Sequence, residues 1–245
     1  MFLKSLLTVS VALAINAANA NEFVIEKLAK PSSQNVSLTL DPSKDTFTGM
    51  TEIALEVLKP THYIELNGVD YAVKMAQLLG KENCDLSNEI LKTGKVKFSC
   101  DEKIQPGKYT LNIDFSAPYN RQSVGLYKTL DQGTPYLFTQ FEMSDARRAF
   151  PVFDEPSYKI PFQLTITAPS SQKVYANTPE LKTTTNGDMT THFFDKTPPI
   201  PSYLVAMAVG PFEEIDIEGM PIPGRVITPQ GKIHLAEYAK DNMPR

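Results

Sequence analysis

Residues 106–117 read Pro-Gly-Lys-Tyr-Thr-Leu-Asn-Ile-Asp-Phe-Ser-Ala, and from Tyr109 to Phe115 apolar and polar side chains alternate without a break. On an extended chain Tyr109, Leu111, Ile113 and Phe115 fall on one side, and Thr110, Asn112 and Asp114 on the other. That is a strand with one face on a core and one in water, the usual condition of antiparallel sheets. The same period recurs on either side. Val36, Leu38 and Leu40 alternate with Ser37 and Thr39; Ile53, Leu55 and Val57 alternate with Ala54 and Glu56; Phe162, Leu164 and Ile166 repeat the pattern. Turn signals separate these runs at Asp41-Pro42, Asn67-Gly68, Thr93-Gly94, Pro106-Gly107 and Asn186-Gly187. Nineteen prolines argue against long helices. The expected fold is all-β, a large twisted antiparallel sandwich-like domain.

The two ends read differently. Lys4, the apolar run Leu6–Ile15 and Ala18-Asn19-Ala20 form the charged, apolar and cleavage regions of a secretory signal peptide over residues 1–20. A retained membrane anchor is the other reading of this run, but it is too short to span a bilayer. Export to a periplasm, or secretion, follows from the signal peptide. Removing Lys4 leaves 23 cations against 28 acids, a charge of −5, so nothing in the chain attracts nucleic acid. No further stretch is apolar enough to cross a membrane. Past Phe212, strand-like Glu213–Ile217 and Arg225–Thr228 lead through Pro229-Gln230-Gly231 into an expected helix over Ile233–Asn242. The expected division is 21–212 for the β domain and 213–245 for the start of a second domain. Because the chain stops at Arg245 inside that helix, it reads as the front of a longer protein. Cys84 and Cys100 either form a disulfide, which export permits, or stay as two buried thiols.

Thr139–Pro156, TQFEMSDARRAFPVFDEP, is the stretch richest in chemistry. Gln140 and Glu142, two apart in a β-prone run, would share one face of a strand. An amide oxygen beside a carboxylate accepts hydrogen bonds and suits an ammonium group. Glu142 has a plainer reading as a strand glutamate paired with Arg147 or Arg148. Ser144 or Asp145 would cap a single helical turn. Asp145, Arg147, Arg148, Asp154 and Glu155 are charges set among Phe150, Pro151, Val152, Phe153 and Pro156, and charges in such surroundings usually pair with one another. They read as a structural clamp on the segment that presents Gln140 and Glu142.

This stretch resembles the signature of the aminopeptidase N family, the zinc-dependent gluzincin exopeptidases. Tyr203–Phe212, YLVAMAVGPF, and the strand at 106–117 are similar to that family too. The resemblance runs from about Asn35 to the end of the chain. It implies that Gln140 and Glu142 bind substrate, with Glu142 gripping the free α-amino group of a peptide. It also implies a thermolysin-like α/β catalytic domain, beginning near residue 213, as this domain's own partner downstream. The family's chemistry uses HExxH, two histidines one helical turn apart on zinc with a glutamate between them. His62, His192 and His234 do not form it, so no catalytic residue and no metal ligand is expected within this chain. Zinc would belong to the full-length protein alone. The competing reading is a non-catalytic exported β module that binds peptides or protein partners.

Overall fold

The computed structural model describes residues 23–243, so the signal-peptide reading of 1–20 lies outside the described residues. The first eight strands are β1 (Ala29–Thr39), β2 (Thr46–Val57), β3 (Thr61–Asn67), β4 (Ala72–Gly80), β5 (Cys84–Asp85), β6 (Ser87–Ile90), β7 (Lys95–Ile104) and β8 (Gly107–Pro118). Next come β9 (Gly125–Asp131), β10 (Thr134–Gln140), β11 (Phe162–Pro169), β12 (Lys173–Ala176), β13 (Glu180–Asn186) and β14 (Met189–Lys196). The last are β15 (Met207–Gly210), β16 (Phe212–Ile217) and β17 (Gly224–Pro229). The all-β expectation holds. Among the described residues the one α-helix is α1 (Glu237–Asn242).

Eight strands form one sheet in the order β13-β14-β11-β1-β2-β8-β4-β5. The alternation at 106–117 becomes β8 at its centre, paired along its length with β2, Thr51 opposite Ile113 and Leu55 opposite Tyr109. Phe47, Ile53, Leu55 and Val57 of β2 are buried, whereas Thr48, Met50, Glu52 and Glu56 between them are exposed, so one face of the sheet meets a core and the other meets water. Two small sheets, β3-β7-β6 and β12-β15-β10-β9, account for the cover. Ile64, Leu66, Val96 and Phe98 of the first pack in one core with Ile53, Leu55, Leu111 and Ile113. Leu126, Leu137, Val174 and Val209 of the second pack in another with Val36, Leu38, Phe115, Leu164 and Ile166. Thr139–Pro156 joins them: Phe141, Phe150 and Val152 enter the second core and Phe153 the first.

Cys84 and Cys100 are joined in a disulfide, with Cα atoms 6.2 Å apart. The bond runs from β5, paired with β4 in the large sheet, to β7 in the three-stranded sheet. Cys84 is not part of the β6–β7 hairpin, because β5 pairs with β4 in the other sheet. β16 and β17, both expected as strands, pair as a hairpin. Phe212 packs on Tyr136 and Tyr175, with ring centroids 5.2 and 5.6 Å away. Glu214 sits between Lys173 (3.4 Å), Arg225 (3.2 Å) and the Tyr175 hydroxyl (3.2 Å). Burial pushes its carboxyl up, yet Lys173, Tyr175 and Arg225 together hold it below the usual carboxylate range. The expected helix over 233–242 is divided, with a 3₁₀ turn at Ile233–Ala236 before α1. Neither start has a side-chain cap and only Ala236 is buried, so little favours the wider helix in the first turn.

Candidate functional site

β10 enters the site from the middle of its sheet, paired with β9 along its length and with β15 at Leu137 and Phe138. Its last pair sets Gln140 opposite Gly125. There the strand ends, because the Phe141 carbonyl accepts a hydrogen bond from the Asp145 amide (2.9 Å) and closes a turn. Glu142 therefore lies in a turn and not on a strand, and the period-two argument for a face shared with Gln140 does not apply. The common exposure has another cause. Phe141 is only 2% exposed, and with that ring drawn into the core the residues on either side, Gln140 and Glu142, face solvent. Among the described residues neither side chain makes a hydrogen bond or an ion pair.

The two arginines are occupied elsewhere. Arg147 Nε donates to Asp154 Oδ2 at 2.8 Å, and its Nη2 donates to the Asp154 carbonyl at 2.9 Å. Asp154 is 3% exposed, and its backbone amide donates to Asn67 Oδ1 at 2.9 Å. Arg148 Nε donates to Asp145 Oδ1 at 2.7 Å, with Asp70 3.9 Å from its Nη1. Asp145 stands at the N-cap of the 3₁₀ turn Ala146–Arg148 without capping it, since its carboxylate already serves Arg148. Glu155 accepts from the Ile25 amide at 2.8 Å, tying the segment to the start of the described chain. A cavity of about 480 Å³ borders this turn, lined by Asp145, Arg147 and Arg148 with Lys92 and Gly94 opposite.

Three contributors were not visible in the sequence reading. Ser202 Oγ donates to Asp154 Oδ1, Tyr71 donates its hydroxyl to the Arg147 carbonyl, and Gly125 gives Arg148 room. Burial, and after it the Asp154 carboxylate, pushes the Tyr71 phenol well above its ordinary value, so it stays protonated as a donor. Ser202 and Tyr71 are 48 and 76 residues from their partners, and no local pattern announces such pairs.

The histidines stay apart. His192 Nδ1 lies 2.6 Å from Glu180 Oε2, while His62 and His234 are exposed. Among the described residues no three His, Cys, Asp or Glu side chains converge as metal ligands, so this donor set does not fit zinc and no step through a metal is assigned to it. Nor is any described helix long and apolar enough to cross a membrane. What the site offers is an accessible, uncompensated carboxylate beside an amide, on a turn flanked by the largely buried Arg147–Asp154 pair and the more exposed Arg148–Asp145 pair.

The chain is 32% identical over 229 residues to Aminopeptidase M1-B of Oryza sativa subsp. japonica, a match covering 89% of this chain and 26% of that protein. It is 30% identical over 222 residues to Aminopeptidase N of Acetobacter pasteurianus, covering 88% and 62%. With Glutamyl aminopeptidase of Homo sapiens it shares 30% identity over 213 residues, covering 80% and 22%. The chain thus spans about a quarter of the length of most of these relatives. Residues 30–204, from the first strand through the turn that contains Ser202, match the Peptidase M1 N-terminal domain, and the chain belongs to that family.

Proposed function

We propose that this chain is the amine-recognition portion of an exported zinc aminopeptidase that releases N-terminal residues from peptides. One observation carries the reading. In a segment with two arginines close by, both guanidiniums are held by Asp154 and Asp145, and Glu142 is left exposed with no cation paired to it among the described residues. An α-ammonium group would supply the missing charge, with Gln140 Oε1 as a second acceptor. A hydrogen bond of that charged kind is worth about 1.5–3 kcal/mol. Acylating the amine would remove it and leave the carboxylate unpaired, which restricts binding to free N-termini. The aminopeptidase names of the relatives support the reaction class.

Residues 21–212 form the recognition domain and 213–245 begin the catalytic one, with zinc and the general base downstream. Export rests on the signal-peptide pattern at 1–20. In the full-length protein, Glu142→Ala is expected to lower kcat/KM for free-amine substrates at least about tenfold, the loss of one charged hydrogen bond. An unchanged kcat/KM would remove Glu142 from the site.

A further inference from the structure

Turn Phe141–Asp145 carries Glu142, Met143 and Ser144, all exposed, and none of these three side chains fixes the backbone that bears them. One distant segment, Ser202–Met207, holds both ends of that stretch. At its start Ser202, 2% exposed, donates from Oγ to Asp154 Oδ1 at 2.5 Å. The other oxygen of the same carboxylate accepts from Arg147 Nε at 2.8 Å and from the Arg147 amide at 3.3 Å. At the segment's far end the Met207 amide donates to Thr139 Oγ1 at 3.0 Å, and that hydroxyl lies 3.3 Å from the Met207 carbonyl as a donor. β15 begins at Met207 and continues the attachment, pairing Phe138 with Ala208 and Leu137 with Val209. Thr139 immediately precedes Gln140, and Arg147 follows Glu142 by five residues.

We propose that Ser202 and Thr139 are positioning residues that bracket the Gln140–Glu142 turn and hold its carboxylate ready for an amine. The assignment rests on the reading of Glu142 given above. Neither hydroxyl needs to touch substrate. Ser202 acts through Asp154: without the hydroxyl, Oδ1 of a buried carboxylate loses its donor, and the carboxylate turns from Arg147 to find another. Thr139 acts on the backbone one residue before Gln140. The physical gain is preorganisation, since a turn with exposed side chains would otherwise be ordered only when ligand binds.

Amide hydrogen exchange on this chain tests the bracket without reference to activity. In Ser202→Ala, amides 141–149 are expected to exchange about tenfold faster, and in Thr139→Val amides 138–142 likewise, while β13 and β14 keep their rates. If Ser202→Ala does not fold, Ser202→Cys, which leaves Asp154 Oδ1 only a weak thiol donor, is expected to show a smaller acceleration over the same amides. In the full-length protein, Ser202→Ala is expected to raise KM for free-amine substrates about threefold or more with kcat changed less than twofold. Unchanged exchange at 141–149 in a folded variant overturns the proposal, as does a fall in kcat with KM unmoved. Should Glu142→Ala prove kinetically silent, the amine reading fails, and the exchange experiment alone then decides whether Ser202 and Thr139 hold the turn.

Discussion

At the scale of single residues, the site depends on which charges are already spoken for. From sequence alone Glu142 has two arginines within reach; in the fold Asp154 and Asp145 have taken them. Tyr71 makes the same point for a neutral group. Its hydroxyl donates to the Arg147 carbonyl, which also accepts from the Val69 amide at 3.1 Å. Burial raises its folded pKa above the value of about 10 expected in the unfolded chain. Its contribution is therefore complete below pH 10 and is lost as pH rises toward the folded value, because only the unfolded chain gives up the proton. Tyr71→Phe should be about 1 kcal/mol less stable at pH 8. It should also show a shallower loss between pH 10 and 11 than the parent in urea unfolding. Equal slopes would exclude Tyr71 from the alkaline transition.

At the scale of elements, β9 and β10 shape the site through a missing side chain. Gly125 has φ +67°, and a Cβ there would come 2.7 Å from Arg148 Cβ. Since the residue also pairs with Gln140, strain at Gly125 passes both to the end of β10 and to the Arg148–Asp145 pair. Gly125→Ala should cost more than about 1 kcal/mol, from the left-handed backbone and the clash together. Urea midpoints of the two proteins would check it. The disulfide is the other element-level device, and a loop of 16 residues closed in this way stabilises by about 3 kcal/mol in the chain-entropy account. Replacing both cysteines by serine should lower unfolding free energy by about 2–4 kcal/mol. A loss below about 1 kcal/mol would mean that the sheets hold β5 against β7 unaided.

At the scale of the whole molecule, the Phe141–Asp145 turn sits where two small sheets meet over one large one, and a single segment fills both cores below it. If zinc and the general base lie downstream as proposed, purified residues 21–245 are expected to hydrolyse no aminoacyl substrate and to bind no stoichiometric zinc. Chelator-sensitive turnover by that purified chain would contradict the division of labour proposed. How the sheets come together also sorts what could be read in advance from what could not. Alternation at Tyr109–Phe115, at Ile53–Val57 and at Val36–Leu40 determined the strands, their buried faces and the all-β class, because a period of two follows from the geometry of each extended chain by itself. Gln140 and Glu142 stood out as residue types that no strand requires, although the strand face they were expected to share is not how they come to be exposed. Tertiary structure alone decided that β1 runs parallel to β11, Gln34 opposite Phe162, that Glu142 leaves the strand, and that Ser202 and Tyr71 donate to Asp154 and to the Arg147 carbonyl. Those outcomes join residues far apart in the chain, and a pairing between distant residues leaves no period or spacing in the sequence near either one.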